Sequence, residues 1–409
     1  MTQPDGRIEL PAAIRTRAVR QVIAALAAQG AEMRFAGGCV RDAILDRPIH
    51  DIDFATPTKP EEVIAALEAA NIKCVLTGLD HGTVTAVLGP AHFEITTLRR
   101  DLETDGRHAT VAFTDDWAAD AARRDFTMNS LTCDSDGALF DPAGGLADVK
   151  AGRVRFVGDA AKRIAEDHLR ILRFFRFYAH YGRPPPDAEA LKACRDAAGK
   201  VRTLSAERVR HEMLRTLAAS DPLPALTIMD EAGVLREALP APAGLDVLPR
   251  LVALESEVGE ADPLPRLAAL FDEDGGDVAT RVAGRLRLSN EQAKRLGAML
   301  ETTAGVGPNA PEPALKEALY RQGTESTRDA LLLAWARADD TTGWRAQYDM
   351  AATWTPPAFP LTGGDVLALG VEPGERVGAL LAQVEDWWVV EGFAPDRDAC
   401  LEKLRELAA

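Results

Sequence analysis

The chain has 409 residues, 46% of them hydrophobic and 27% charged, with a net charge of −16. That length is enough for about two to four domains with a sizeable core. The acidic balance excludes a protein that coats nucleic acid indiscriminately, but not one with a local basic surface.

In chain order, the opening MTQPDGRIEL lacks a charged-then-apolar leader, and no apolar run reaches about 18 residues. The expectation is a cytoplasmic protein with no membrane span. Helical periodicity covers residues 12–29. Short runs at MRFAGG, DIDFAT, KCVLTG, GTVTAVL and HFEITTL read as strands, with a helix at KPEEVIAALEAA between them. From about residue 159 the character changes. DAAKRIAEDHLRILRFFRFYAHYG reads as one long helix, and nearly everything after it is helical with Pro/Gly breaks. Boundaries fall at residues 141–152, 182–187 and 353–365. There is no internal repeat. The picture is α+β first and all-α afterwards. The five cysteines, Cys39, Cys74, Cys133, Cys194 and Cys400, are far apart without a C-x-x-C pair. That fits reduced thiols and offers no zinc or disulfide framework. Residues 150–183 hold nine Lys/Arg against three Asp/Glu. The stretch reads as a solvated helix face or, since it opposes the global sign, as a phosphate-binding surface.

The stretch HDIDFAT, residues 50–56, carries the first chemical signal. On a strand, Asp51 and Asp53 face one side and Ile52 and Phe54 the other. Two carboxylates held close repel unless a cation lies between them, and such a pair suits magnesium in phosphoryl chemistry. By itself the dyad also reads as incidental acids on a solvated edge strand. Upstream, FAGGCVRD places Gly37 and Gly38 at a strand-to-helix turn, where backbone N–H groups can approach a phosphate. Arg41 follows in the first turn, where a guanidinium can grip a triphosphate. A Gly-Gly turn alone means little. Followed by Arg-Asp and then by Asp-x-Asp some ten residues later, it supplies a triphosphate cradle, a counter-charge and a metal pair.

Together these residues, GGCVRDAILDR and then DIDFAT, resemble the first motif of the class II tRNA nucleotidyltransferase and bacterial poly(A) polymerase family, within the polymerase β-like superfamily. RRDFTMNSL (123–131), DPAGGLADV (141–149), EDHLRILRFFRF (166–177) and LSAERVRHEM (204–213) are similar to the family's later motifs, in order. RLRLSNEQAKRL and PLTGGDVLALGVEPGERVGALL are similar to segments of its body and tail. The resemblance implies an N-terminal nucleotidyltransferase head with a small mixed sheet at 1–150. It implies a helical neck with the base-recognition helix at 151–217, and a helical body and tail that binds tRNA at 218–409. The implied activity is addition or repair of the 3′-terminal CCA of tRNA from CTP and ATP, with magnesium and release of pyrophosphate. The partners are then the tRNA 3′ end and the two nucleotides, with no obligate protein partner.

The resemblance also implies residue roles. Asp51 and Asp53 bind the metal, polarise the α-phosphate and favour attack by a 3′-hydroxyl. Glu94, in HFEITT, is a third carboxylate, a supporting neighbour of the other two, or a surface acid at a strand end. In RRDFT, Arg124 contacts phosphate and Asp125 accepts a ribose 2′-hydroxyl, with a buried salt bridge as the competing account. Asn129 of the same segment joins the nucleotide-binding set. Asp167 and Arg170, at i and i+3, share a helix face, and by spacing alone an intrahelical ion pair is the plain reading. Yet one acceptor beside a planar donor fork can imitate a base edge. Cytosine and adenine present an amine on the pairing edge where uracil and guanine present a carbonyl. The family's matching pair acts as a protein template, and that role carries to Asp167 and Arg170. Arg173 and Arg176, further along, reach the triphosphate or the acceptor RNA, though Arg176 equally reads as facing solvent. LRRDLETDGRHATVAF (98–113) reads as a mobile polar loop, with Arg107 as a phosphate or loop-anchor candidate. His168 and Ser130 stand where the family often has proline and alanine.

All seven histidines lie at or before His211, so no C-terminal His-Asp phosphohydrolase domain is expected. Trp387-Trp388 reads as core, and Ser205 as a helix cap. A poly(A) polymerase, an enzyme adding only CC or only A, and a catalytically silent RNA-binding module are the rival functions. The acidic chain without a basic tail disfavours the first, and the intact dyad disfavours the last.

Overall fold

The computed structural model describes residues 3–78, 82–104, 109–271, 276–301 and 306–408. The chain divides into two compact units, Met1–Ala238 and Leu239–Ala409.

The first unit begins with strand β1 (Gly6–Arg7) and helix α1 (Arg17–Ala27). Thr16 caps α1 by accepting from the Val19 N–H at 3.2 Å, and Val19, Val22, Ala25 and Leu26 form its buried stripe. Then come β2 (Arg34–Ala36), α2 (Gly38–Ile44), β3 (Asp53–Thr56), α3 (Pro60–Ala69), β4 (Lys73–Gly78), β5 (Thr83–Leu88) and β6 (Ala91–Thr97). Pro60 opens α3, and Glu62 reaches back to the Lys59 N–H at 3.2 Å. After β6 follow β7 (Arg99–Thr104), β8 (Ala109–Phe113), α4 (Trp117–Ala122), β9 (Thr132–Cys133), β10 (Ala138–Phe140) and α5 (Gly145–Ala151). The neck helices are α6 (Ala160–Glu166), α7 (Leu169–Tyr181), α8 (Ala188–Asp196), α9 (Ala206–Leu217) and α10 (Leu223–Glu231).

Eight strands form one sheet in the order β1-β10-β9-β2-β3-β6-β5-β4, and β7 pairs with β8 separately. The large sheet is mixed: β3 runs parallel to β6, and its other ladders are antiparallel. It is larger than the small sheet expected, because β1, β9 and β10 are too short to show a period-2 pattern. The stretch 98–113, expected as a mobile loop, is instead an antiparallel ribbon over its described part. Arg107 lies outside the described residues. The single long helix expected from residue 159 is broken. α6 stops at Glu166, and Asp167 is extended at φ −152°, ψ 108°. The Asp167 carboxylate accepts from the Leu169 N–H at 3.0 Å. An aspartate that bonds the backbone locally competes with helix continuation.

The second unit contains only helices among its described residues, from Leu248–Val258 to Arg397–Ala408. Trp388 belongs to a buried cluster with Leu361, Val366, Leu380, Val384 and Leu404. Arg266 and Glu255 form a buried ion pair at 2.6 Å. No helix among the described residues is long and apolar enough to cross a membrane.

The DPAGG turn shows how tightly the first unit is packed. The Asp141 carboxylate accepts from the Gly145 and Leu146 N–H groups at 2.6 and 2.9 Å and so starts α5. A Cβ on Gly145 would lie 2.1 Å from the Thr127 carbonyl oxygen. That backbone belongs to the RRDFT segment and has no flexible end to move aside. Gly145→Ala is therefore expected to destabilise the first unit by about 2–3 kcal/mol, measured as a lower urea midpoint with an unchanged slope.

Candidate active site

Two adjacent strands assemble the acids. β3 and β6 pair with Asp53 opposite Glu94. On β6 the pleat buries Phe93, Ile95 and Thr97 and turns His92, Glu94 and Thr96 to the other face. Phe54 packs on Phe35 and Phe93, with ring centroids 4.9 and 6.2 Å away, which anchors the inward half of the alternation. The expectation of both aspartates on one strand needs correction: β3 begins at Asp53, and Asp51 precedes it as an exposed residue. β2 ends at Ala36 and turns into α2, so on that side Asp51 has no strand to pair with.

Burial first, then the Glu94 and Asp51 carboxylates, push Asp53 up from 3.8 to about 6, and Arg124 only partly opposes them. This mutual repulsion and the hard oxygen donors fit a divalent cation. Among the described residues, no group of three or more His, Cys, Asp or Glu side chains forms a metal-holding set. What the chain offers is an open pair of carboxylates that substrate phosphates would have to complete, the usual form of a magnesium–nucleotide site.

The Gly-Gly turn lies beside the acids. Gly37 adopts φ 69° and donates to the Leu131 carbonyl at 3.0 Å, and a Cβ on it would meet an Arg124 guanidinium nitrogen at 3.2 Å. The positive φ favours glycine, and a Cβ would also press on Arg124. Gly38 opens α2. Arg41 is 6% exposed and donates to Asp42 at 2.9 and 3.0 Å, to Asn129 Oδ1 at 2.7 Å and to the Tyr181 hydroxyl at 2.6 Å. Four of its N–H groups are thus engaged by the protein, so its position is rigid.

In RRDFT the basic pair converges on one buried acid. Arg123 and Arg124 donate to Asp120 at 2.7–3.3 Å, and the Arg99 backbone N–H adds a bond of 3.2 Å. Burial alone would raise the Asp120 carboxyl, but Arg124 and Arg123 outweigh it and hold it below the usual range. Asp125 behaves likewise: burial raises it, and Arg173, Asn129 and the Phe126 N–H more than compensate. One Asp125 oxygen takes Arg173 at 2.5 and 2.7 Å, and the other takes Asn129 Nδ2 at 3.0 Å and Phe126 N at 2.8 Å.

Asp167 and Arg170 do not form the intrahelical ion pair that their spacing suggests. Because the helix breaks at Asp167, each finds another partner. Arg208 donates to both Asp167 oxygens at 2.7 and 3.0 Å. Arg170 donates to Glu166 at 2.6 Å and to the Arg163 and Arg123 carbonyls at 2.8 and 3.2 Å. Neither side chain is consumed by the other.

One cleft of about 660 Å³ gathers these groups: Gly37, Gly38, Arg41, Asp53, Glu94, Arg124, Asp125, Asn129, Asp167, Arg170 and Arg173 all line it. Arg176 does not. It is buried against Glu212 at 3.1 Å, and burial lowers its pKa to about 10 despite that partner. Asp51 stands outside the lining as well. The sequence reading missed Arg123 and Arg208, which also line the cleft. Arg123 was legible as the first arginine of RRDFT. Arg208 sits three residues after Ser205, whose hydroxyl accepts from its N–H at 3.4 Å. That spacing marks a first helical turn, but nothing in it points to Asp167.

Residues 33–155 match the family described as "Poly A polymerase head domain", and residues 186–244 match "Probable RNA and SrmB- binding site of polymerase A". The chain is 34% identical to "CCA tRNA nucleotidyltransferase 1, mitochondrial" of Mus musculus over 398 residues, 96% of this chain and 90% of that one. It is 31% identical to the "CCA-adding enzyme" of Levilactobacillus brevis over 392 residues, 93% and 95% of the two chains. Among solved structures it is similar to the Bacillus stearothermophilus CCA-adding enzyme in complex with CTP. That likeness has a TM-score of 0.76 at 28% identity and covers 96% of this chain and 98% of that one.

The raised Asp53 has a consequence for stability. With its folded-state pKa near 6, the stability of a neutral Asp53 is complete below the ordinary 3.8 and is lost as pH rises through about 6. In metal-free buffer, Asp53→Asn is therefore expected to be about 1–3 kcal/mol more stable than the parent at pH 8. The difference should close as pH falls from 6 to 4 in urea unfolding, and a gap that persists at pH 4 contradicts the electrostatic cause.

Proposed function

The chain belongs to the CCA tRNA nucleotidyltransferase family, and on that premise we propose how its cleft builds or repairs the 3′-terminal CCA of tRNA from CTP and ATP. The observation that carries this reading is the convergence, in one cleft, of an acidic strand pair, a Gly-Gly turn and the Asp167/Arg170 pair.

A divalent cation held by Asp51 and Asp53, magnesium in this reading, would polarise the α-phosphate and favour in-line attack by the 3′-hydroxyl. Glu94 supports the pair by raising the electrostatic demand for a cation at Asp53. The Gly37–Gly38 turn, with Arg41 and Arg124 beside it, receives the triphosphate. Asp125 is held charged by Arg173, and a ribose 2′-hydroxyl would take the place of one of the four donors it accepts. Asp167 accepts the exocyclic amine of cytosine or adenine, and Arg170 donates to the neighbouring acceptor on that edge. Uracil and guanine would set a carbonyl against the carboxylate. Asn129 ties Arg41 to Asp125 and so links the triphosphate end of the pocket to the ribose end.

Within this reading, residues 1–150 are the catalytic head, 151–217 the neck, and 218–409 the body and tail that hold tRNA. We place the protein in the cytoplasm, as its five free thiols support.

The test is extension of three tRNA transcripts, ending before CCA, after C and after CC, with each nucleotide singly and with CTP and ATP together. Addition stopping at CCA, with UTP and GTP rejected, is expected. Long A tracts would make the protein a poly(A) polymerase, and arrest at CC would make it a partial enzyme. Asp53→Asn should lower kcat by about a thousandfold while tRNA binding persists. Asp167→Ala should erode the preference for CTP over UTP by about 10- to 100-fold, read from kcat/KM.

A further inference from the structure

Helix α7 lines the cleft through Leu169, Arg170, Arg173 and Phe177, and Tyr181, one turn beyond Phe177, reaches it only through Arg41. Arg170 lies near its start, Arg173 holds Asp125 in its middle, and Tyr181 ends it. No motif pointed to Tyr181, yet it is the outer support of the cleft's most buried cation. The Arg41 guanidinium carbon lies 3.9 Å from the Tyr181 ring centroid, and an Arg41 N–H donates to the Tyr181 hydroxyl at 2.6 Å. Arg47 packs on the same ring at 4.7 Å and donates to the His180 carbonyl at 2.7 Å, which brings α2 and its following turn onto the end of α7. The ring stacks on Phe177, 5.8 Å away, so its plane is set from within α7.

The hydroxyl has a definite protonation state. Burial first, with Arg41 opposing and Asp42 adding, raises its pKa above the usual value. It therefore keeps its proton at neutral pH, donates to Asp42 and accepts from Arg41. Arg41 is thus oriented by Asp42 on its own helix, by Asn129 from the RRDFT segment and by Tyr181 from the neck.

We propose that Tyr181 is a positioning residue for nucleotide binding, setting the reach of the Arg41 guanidinium into the cleft through its ring and hydroxyl. The inference rests on the reading above, in which that cleft takes CTP and ATP. It follows from geometry: a guanidinium held over an aromatic face and bonded at its edge has one direction to point. Since Arg41 stands at the Gly-Gly turn and not at Asp167, Tyr181 should affect both nucleotides alike and leave base choice unchanged.

The experiment uses full-length protein carrying Tyr181→Phe, Arg41→Lys or both. Calorimetric titration with CTP and with ATP in magnesium gives Kd, and extension of tRNA lacking CCA gives kcat and KM. Tyr181→Phe keeps the ring and its stacking and removes only the hydroxyl. Kd and KM for both nucleotides should rise about fivefold, the worth of one hydrogen bond, with kcat within about twofold. The KM for tRNA and the rejection of UTP should stay as in the parent. The double variant should bind nucleotide no more weakly than Arg41→Lys alone, because Tyr181 acts through Arg41. Weaker binding by Arg41→Lys together with unchanged Kd in Tyr181→Phe would overturn the inference alone. So would additive effects in the double variant, or a fall in kcat with KM unmoved, the mark of a purely structural tyrosine. If Arg41→Lys itself leaves Kd unchanged, the triphosphate role of the turn fails, and the role of Tyr181 fails with it.

Discussion

The ion pair between Asp125 and Arg173 is the contact on which the cleft depends. It joins the turn of RRDFT to the middle of α7, with two Arg173 nitrogens on one carboxylate oxygen at 2.5 and 2.7 Å. Removing either partner would strand a buried charge, a loss of about 3–5 kcal/mol in comparable pairs. From this pair the network runs both ways. Asn129 carries it to Arg41 and the Gly-Gly turn, and Glu212 carries it to Arg176 at 3.1 Å. Glu212 lies on α9, so the same chain of contacts ties the neck helices to the Gly-Gly turn.

The electrostatics follow from that frame. A chain of net charge −16 lines its cleft with Arg41, Arg123, Arg124, Arg170, Arg173 and Arg208. Each basic group is fixed by a specific acid or carbonyl: Asp120 for Arg123 and Arg124, Glu166 for Arg170, Asp167 for Arg208. Fixed cations need little reorganisation to receive an anion. Opposite them, Asp53 is left under-compensated and raised to about 6. The site gives up stability at the position where a cation would restore it.

The motifs carried much of this into plain view. That Gly37, Asp53, Glu94, Asp125, Asp167 and Arg170 gather in one cleft was legible, because ordered motifs can be read regardless of what packs around them. Their partners were harder to read. Arg170 pairs with Glu166 and not with Asp167, since a helix break between them changes the geometry that i, i+3 spacing implies. Arg176 shares α7 with Arg173, but α9 covers it with Glu212, so it is not among the residues lining this cleft. The first is a local i, i+4 pair that outcompetes the i, i+3 alternative once the helix breaks, whereas the second has no signature in local periodicity, because it depends on α9, more than 30 residues away in the chain.

The sequence by itself determined the order of the fold, strands first and helices after, because hydrophobic period and turn residues act within a few positions. It also determined which residue types could hold a metal, a phosphate and a base edge. Tertiary structure decided the rest. It paired β3 with β6 so that Asp53 faces Glu94, left Asp51 outside the strand, and paired Arg99–Thr104 with Ala109–Phe113 as a ribbon. It set Tyr181 under Arg41 across 140 residues of chain. These are choices of partner, and a partner is chosen by burial and charge across the folded molecule, where residues distant in sequence compete for the same donor or acceptor.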